Sequence, residues 1–188
     1  MALWASGNGA AGRESLLVRR LIDQGIRDPR VLAAFARVPR TFFVPEEAQA
    51  EAEADRPLDI GCGQTISQPY VVAAMAEALE LTGRERVLEV GTGSGYANVQ
   101  VRVSDGALGW PEAAPFDAIL VSAAPREVPP ALLDQLAPGG RLVLPVGPSP
   151  EQQELQLWRR LSSGGLEKRG LMQVRFVPLI GSSQRSAH

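Results

Sequence analysis

The sequence predicts an α/β protein, with a mostly parallel β-sheet, helices on both faces and an antiparallel hairpin near the carboxyl terminus. Residues 87–90 are a short apolar run typical of a buried strand, and further apolar runs cover residues 116–122 and 141–146. Helix-like stretches alternate with these runs. Residues 153–158 and 173–180 are strand-like and close enough in sequence to pair, so the sheet is expected to end in antiparallel strands.

Two helices are predicted before the sheet begins. Residues 13–24 carry apolar side chains at helical spacing, and Gly25 follows as a suitable C-terminal cap. Asp28 and Pro29 suit the N-cap and first turn of a second helix, which Pro39 ends. The amino-terminal region therefore predicts a small helical layer ahead of the sheet.

The composition indicates one domain in a reducing compartment. Of the 188 residues, 45% are hydrophobic, enough for a single core over residues 13–181, between a disordered lead-in at 1–12 and a tail at 182–188. Cys62 is the only cysteine, so no intrachain disulfide can form. No apolar stretch approaches the roughly 20 residues that cross a bilayer, and the lead-in does not resemble a signal peptide. We expect a cytoplasmic protein.

Charge and histidine content narrow the function classes. Lys and Arg number 19 against 21 Asp and Glu, a net charge of −2, so we expect neither nucleic acid nor an anionic membrane as a partner. The only histidine is His188, the last residue, which argues against histidine-based catalysis and most zinc sites. The sequence therefore predicts no metal site and leaves hydroxyls, carboxylates and backbone groups for the chemistry.

The first strand of the sheet runs into three glycines, Gly91, Gly93 and Gly95. Glycines at the end of a strand let a ligand approach the backbone closely, which makes this loop a candidate nucleotide site. The dinucleotide pattern would need a glycine where Tyr96 stands, so a nicotinamide oxidoreductase is disfavoured. With Glu89 as its acidic member, the loop resembles the S-adenosylmethionine loop of Rossmann-like methyltransferases. A purely structural glycine turn is the alternative.

Small polar side chains precede the predicted start of a third helix near Pro69. The hydroxyls of Thr65 and Ser67 would lie at its amino terminus, where backbone donors and the helix dipole favour a carboxylate or another anion. Ser67 or Gln68 would serve equally well as an ordinary helix cap. These residues alone leave both interpretations open.

Several stretches of the chain resemble protein-L-isoaspartate O-methyltransferases. They are residues 25–28, 38–45, 57–69, 87–96, 105–111 and 174–181. The resemblance extends from about residue 15 to residue 181, and the segment 64–69 is specific to this family among methyltransferases. It implies a Rossmann-like methyltransferase sheet and S-adenosylmethionine as the cofactor.

The resemblance also assigns site residues. It places Ser67 nearest the chemistry, as the catalytic residue. The residues that it assigns to S-adenosylmethionine are Gln64, Thr65, Ile66, Glu89, Gly91, Thr92, Gly93, Gly95, Asp105 and Gly106. In this assignment the glycines carry the amino-acid end of the cofactor, and Asp105 with Gly106 lies on the adenine side.

The chain departs from the family pattern after the glycine loop. Residues 91–98 alone separate Val90 from the next predicted strand, Val99–Val103. Parallel neighbours need a crossover of about a dozen residues or more, so these two strands cannot be adjacent and parallel. We therefore expect a sheet that lacks one strand and its flanking helices, with Val99–Val103 antiparallel, displaced or exchanged with a second chain. The ribose-binding acid of such sites is also missing, since no acidic residue occurs between Glu89 and Asp105.

The leading hypothesis is methyl transfer from S-adenosylmethionine to the α-carboxylate of L-isoaspartyl residues in damaged proteins. Its partners would be isoaspartyl-containing proteins and peptides. A carboxylate needs no general base to act as a nucleophile, so the lack of a usable histidine is no objection. The alternative is a catalytically impaired or inactive remnant of the same family with an incomplete cofactor site.

Overall fold

The computed structural model describes residues 15–91 and 102–180. Its strands are β1 (Leu58–Gly61), β2 (Gln64–Ile66), β3 (Val87–Val90), β4 (Phe116–Val121), β5 (Leu136–Val146), β6 (Gln153–Arg160) and β7 (Leu166–Val174). The first two form an antiparallel hairpin, and the other five form one sheet in chain order. Within that sheet β3, β4 and β5 are parallel, whereas β6 and β7 are antiparallel to their neighbours. The predicted parallel sheet with a carboxyl-terminal antiparallel hairpin is confirmed.

The α-helices of the described residues are α1 (Leu16–Asp23), α2 (Pro29–Arg37), α3 (Pro69–Ala78) and α4 (Pro130–Asp134). At the start of α1 the Ser15 side chain accepts a hydrogen bond from the Leu17 amide at 3.2 Å. At the start of α2 the Asp28 side chain accepts one from the Arg30 amide at 2.8 Å, and Pro29 takes the first position as predicted. None of these helices has the length and apolar character needed to cross a membrane.

Helices cover both faces of the sheet because its side chains alternate between two apolar layers. The layer beside α4 contains Leu88, Val90, Ile119, Val121, Leu132, Leu142 and Leu144. The layer beside α3 contains Met75, Leu79, Ala118, Val143 and Leu155. Glu89 belongs to the α3 side, since it pairs in register with Leu120, which packs on that layer.

The carboxyl-terminal hairpin is present, but its second strand is not the predicted one. The strand after the turn at residues 162–165 is β7, whereas the sequence pattern indicated residues 173–180. Residues 166–170 are all exposed and include three charged side chains in a row. This half of β7 therefore lacks the alternation of apolar and polar residues that marks a half-buried strand. The chain that follows β7 runs beside Ala124 instead of pairing with β6.

The predicted strand Val99–Val103 is wrong where the structure describes it. Arg102 and Val103 belong to no strand, and the Val103 side chain is 99% exposed. Residues 99–101 lie outside the described ranges. Among the described strands, β3 pairs with β4 alone and so ends the sheet. The eight residues 91–98 are too few to provide the crossover that a parallel strand at residues 99–103 would require.

A close contact anchors the chain where it returns to the sheet at Gly106. A Cβ atom on this residue would lie 2.5 Å from Cγ1 of Val90, which is itself buried. The short 3₁₀ turn Gly106–Leu108 can therefore lie against the end of β3 only because residue 106 has no side chain. The Asp105 carboxylate holds the turn by accepting a hydrogen bond from the Ala107 amide at 3.0 Å.

Gly106→Ala should lower the free energy of unfolding by about 1–3 kcal/mol, the usual cost of overpacking, because the buried Val90 must move. Gly165→Ala is the matched control, since the nearest atom to its Cβ would be 3.7 Å away, an ordinary contact. Urea denaturation of both variants and the parent measures the difference. Equal midpoints for the three proteins would contradict the tight packing of residue 106 on β3.

Candidate functional site

A cavity of about 320 Å³ lies between α3, β2 and the length of β3, and reaches the carboxyl end of β4. Its charged and hydroxyl- or amide-bearing lining residues are Arg40, Gln64, Thr65, Ser67, Glu89 and Ser122. Its apolar lining includes Leu17, Phe35, Val72, Met75, Leu79 and Leu120. The predicted catalytic residue and the start of the predicted cofactor loop thus share one cavity, although they are far apart in sequence.

A hairpin that the sequence analysis did not predict brings β2 to this cavity. The turn between β1 and β2 contains Cys62 and Gly63, both with positive φ, at 54° and 68°. The available signal was the pair of glycines, Gly61 and Gly63, because tight hairpin turns favour residues that accept positive φ. All three residues of β2 line the cavity, as the family resemblance leads one to expect for neighbours of the site.

Ser67 follows β2 with its backbone held and its side chain uncommitted. Its carbonyl accepts a hydrogen bond from Nη2 of Arg40 at 2.8 Å, and the Ile66 carbonyl accepts another at 3.2 Å. With the rest of the described chain, the Ser67 hydroxyl makes no hydrogen bond. It is therefore available to a ligand in the cavity.

Asp55, from a distant segment, caps the amino terminus of α3. Its Oδ1 accepts a hydrogen bond from the Tyr70 amide at 3.0 Å. Its Oδ2 accepts from the side-chain amides of Gln68 at 3.1 Å and Gln24 at 2.7 Å. Burial raises the pKa of Asp55, but these hydrogen bonds outweigh burial and leave the pKa below its usual value. The helix-cap interpretation of Ser67 is wrong, and Gln68 makes no side-chain cap either.

Glu89 and Gly91 form the β3 wall of the cavity. Burial raises the pKa of Glu89, and its carboxylate makes no hydrogen bond to another described residue. Gly91 follows with a φ of +84°, a conformation that side chains other than glycine rarely adopt. A half-buried carboxylate beside an open strand end is suited to a ligand that carries positive charge.

Two of the other predicted cofactor residues, Asp105 and Gly106, do not line this cavity. Gly106 lines a second cavity of about 610 Å³ that runs along β3 and shares Val87, Glu89 and Gly91 with the first. Asp105 lines neither cavity, and its carboxylate holds the turn that follows it. The described residues do not include three members of the predicted loop, Thr92, Gly93 and Gly95.

Two residues that hold the site together, Arg40 and Asp55, were missed by sequence reasoning. Arg40 stands in a mostly apolar stretch, residues 38–44, where a lone charge is a usable signal of a buried role. Asp55 gave no signal, because its donors come from Gln24 and the start of α3, both distant in sequence.

The sequence profile of the protein-L-isoaspartate(D-aspartate) O-methyltransferase family matches residues 12–99 and 97–184. The chain belongs to this family. A protein-L-isoaspartate O-methyltransferase from Anaeromyxobacter dehalogenans is 53% identical over 190 positions, which cover 82% of this chain and 91% of the relative. One from Myxococcus xanthus is 48% identical over 209 positions, covering 92% of this chain and 97% of the relative.

These comparisons also show that this chain is shorter than its relatives. The two parts of the profile match meet at residues 97–99. The 190 aligned positions of the A. dehalogenans protein exceed the roughly 154 residues that 82% of this 188-residue chain provides, so about 36 positions of the relative face no residue here. Both facts agree with the predicted loss of a segment after Tyr96.

A crystal structure described as a protein-L-isoaspartate O-methyltransferase from Plasmodium falciparum, in complex with S-adenosyl-L-homocysteine, superposes with a TM-score of 0.74. The two chains are 24% identical, and the match covers 87% of this chain and 96% of that chain. This likeness shows that the sheet and helices of the present protein have the Rossmann-like arrangement of the family.

Asp55→Ala should lower the free energy of unfolding by about 1 kcal/mol, the usual cost of a lost helix cap. Ser67→Ala should change it by less than about 0.5 kcal/mol, because the hydroxyl caps nothing. Chemical denaturation at pH 7 measures both. A larger loss for Ser67→Ala than for Asp55→Ala would contradict the assignment of the cap.

The same pair predicts a pH dependence. Because the pKa of Asp55 is lower in the folded than in the unfolded protein, its contribution is present above the unfolded pKa and is lost as pH falls through the folded pKa. Between pH 7 and about pH 3, below the ordinary pKa of Asp, the parent should therefore lose more stability than Asp55→Ala. Denaturation midpoints for both proteins across this range provide the comparison, and parallel curves would contradict it.

Proposed function

We propose that this protein transfers a methyl group from S-adenosylmethionine to the α-carboxylate of L-isoaspartyl residues in damaged proteins. The observation that carries the proposal is the cavity in which the uncommitted hydroxyl of Ser67 and the β3 wall with Glu89 and Gly91 come together. Membership of the protein-L-isoaspartate O-methyltransferase family supports the same reaction.

The β3 wall fits the cofactor. S-adenosylmethionine carries positive charge on its sulfur and on its amino group, and Glu89 offers a half-buried carboxylate beside the open strand end at Gly91. The P. falciparum relative holds S-adenosyl-L-homocysteine, the demethylated form of this cofactor. When bound, the cofactor supplies a reactive methyl group. We assign Glu89 and Gly91 to its binding, with Thr92, Gly93 and Gly95 as the continuation of the loop.

The second cavity supports a place for the remainder of the cofactor. It meets the first at Glu89 and Gly91 and extends along β3 to Gly106. A ligand that spans both cavities would pass the end of β3, where nucleotides bind in sheets of this class. We therefore keep Asp105 and Gly106 on the adenine side of the proposed site.

The opposite wall of the cavity, formed by residues 64–67 and the start of α3 and called the α3 wall here, is suited to the substrate. Ser67 lies just before the amino terminus of α3, a ten-residue helix whose dipole favours an anion at that end. The Ser67 hydroxyl can donate a hydrogen bond to one oxygen of a carboxylate and leave the other free to attack. Gln64 and Thr65, which the family resemblance assigns to the cofactor, extend the same wall and shape the pocket in which Ser67 lies.

The reaction then needs alignment more than proton transfer. A carboxylate oxygen forms a bond to the methyl carbon while the bond from that carbon to sulfur breaks, so the negative and positive charges of the two reactants cancel. Holding the reactants in line and excluding water are the main ways to accelerate such a step. The side chains of Phe35, Val72 and Leu120 make much of the cavity wall apolar, which suits the exclusion of water.

Ser67→Ala should reduce kcat/KM for an isoaspartyl peptide by about 10- to 100-fold, the range expected for a hydrogen bond to a charged group worth roughly 1.5–3 kcal/mol. Ser163→Ala, in the turn between β6 and β7, is the matched control and should retain full activity. The measurement is methyl incorporation into the peptide at saturating cofactor. Equal rates for Ser67→Ala and the parent would remove Ser67 from the site.

The same assay tests the function itself. Methyl incorporation into an isoaspartyl peptide, but not into the peptide with ordinary aspartate, is the expected result for the parent. Isothermal titration of the parent with S-adenosylmethionine accompanies it. A parent that neither binds the cofactor nor transfers methyl groups would instead be the inactive remnant considered from the sequence.

Glu89→Gln should weaken cofactor binding by about tenfold, equivalent to roughly 1.4 kcal/mol, because it removes a charge from the β3 wall. The variant should fold at least as stably as the parent, since burial disfavours the charged form of Glu89 and raises its pKa. Glu127→Gln removes an exposed charge elsewhere and is the control. Titration calorimetry and a thermal melt give the two values, and unchanged cofactor affinity would contradict the assignment.

A further inference from the structure

Arg40 is a buried cation in the wall of the cavity. Arg40 is the first residue of the 3₁₀ turn Arg40–Phe43 and is only 7% exposed. Among the described residues that line the 320 Å³ cavity, the charged ones are Arg40 and Glu89. Arg40 contacts the chain on the Ser67 side and Glu89 stands on β3, so the cation and the carboxylate belong to different walls.

The guanidinium group joins two separate segments of backbone. Its hydrogen bonds end on the carbonyl oxygens of Ala52 (3.0 Å), Ala54 (3.3 Å), Arg56 (3.1 Å), Ile66 (3.2 Å) and Ser67 (2.8 Å). The first three acceptors surround Asp55, which itself holds the start of α3, and the last two precede that helix. Ser67 is therefore tied on one side by Arg40 and on the other through Asp55.

This arrangement makes the role of Arg40 indirect. Both Nη atoms are already engaged with carbonyl oxygens, so a substrate carboxylate would have to displace these bonds to reach them. The positive charge of Arg40 still contributes to the attraction of a substrate carboxylate, because a cation removed from water acts over a longer distance than one at the surface. A guanidinium also spreads its donors over a planar fork, whereas a lysine ammonium has a single nitrogen and cannot reach both segments.

We propose that Arg40 is a positioning residue for methyl transfer, which fixes the backbone of Ser67 and makes this wall of the cavity electropositive toward the isoaspartyl carboxylate. The inference rests on the function proposed above. It assigns Arg40 to the substrate half of the reaction and not to the cofactor half, which is the distinction that kinetics can measure.

Arg40→Lys should raise KM for an isoaspartyl peptide by about tenfold, the scale of one hydrogen bond to a charged group, and leave KM for S-adenosylmethionine within about twofold. Arg40→Met should raise the peptide KM further, because the charge is lost as well. Arg141→Met is the matched control, since Arg141 also donates to a backbone carbonyl, that of Leu79 at 3.0 Å, but lies outside the cavity. Both of its KM values should equal those of the parent.

Hydrogen–deuterium exchange gives a second measurement that does not depend on activity. The peptide covering residues 64–72 should exchange faster in Arg40→Lys than in the parent, and at the parental rate in Arg141→Met. If the parent transfers no methyl group, the proposed function fails while this exchange still decides whether Arg40 holds the Ser67 segment. Unchanged exchange over residues 64–72, or KM values raised equally for peptide and cofactor, would overturn the positioning role.

Discussion

The parallel pairing of β3 with β4 is the constraint on which both cavities depend. The register sets Glu89 opposite Leu120, so the Glu89 side chain belongs to the α3 face of the sheet. Val90 belongs to the opposite apolar layer, where Gly106 packs against it. A shift of one residue would exchange the two faces and place a carboxylate in the apolar layer beside α4. The hydrogen bond from the Ser122 amide to the Val90 carbonyl, at 2.8 Å, holds this register at the end nearest the site.

The other half of the site is irregular chain, and irregular chain needs hydrogen-bond partners from elsewhere when it is withdrawn from water. Arg40 supplies donors to the carbonyls before α3, and Asp55 supplies acceptors to the amides at its start. The carbonyls of Ile66 and Ser67 and the amide of Tyr70 are thereby satisfied without using the Ser67 hydroxyl. Preorganisation of this kind lets a small polar side chain meet a substrate without first giving up a contact within the protein.

Features with a strong local signal were predictable from the sequence. Asp28 and Pro29 mark the start of the second amino-terminal helix, and mostly apolar runs mark the three parallel strands. The two hairpins were harder to predict from the sequence. The first half of β7 is exposed and charged, and β2 has only three residues, which are too few to show an alternation of apolar and polar side chains. In the site, the stretches around Ser67 and Glu89 identified two walls of one cavity. The ties from Arg40 and Asp55 depend on tertiary placement, which no local pattern encodes.

The position of β3 at the end of the described sheet has a consequence for how this fold can change. The chain is shorter than its relatives at the connection from Gly91 to Arg102, and yet β3 still pairs with β4 in a continuous parallel register from Val87 to Val90. The fold tolerates a deletion at the β3 edge of the sheet, because a strand with its flanking helices can be absent there without a change in the order of the other strands. The same connection is therefore a natural graft point, at which the corresponding unit of a relative can be inserted into an otherwise identical background.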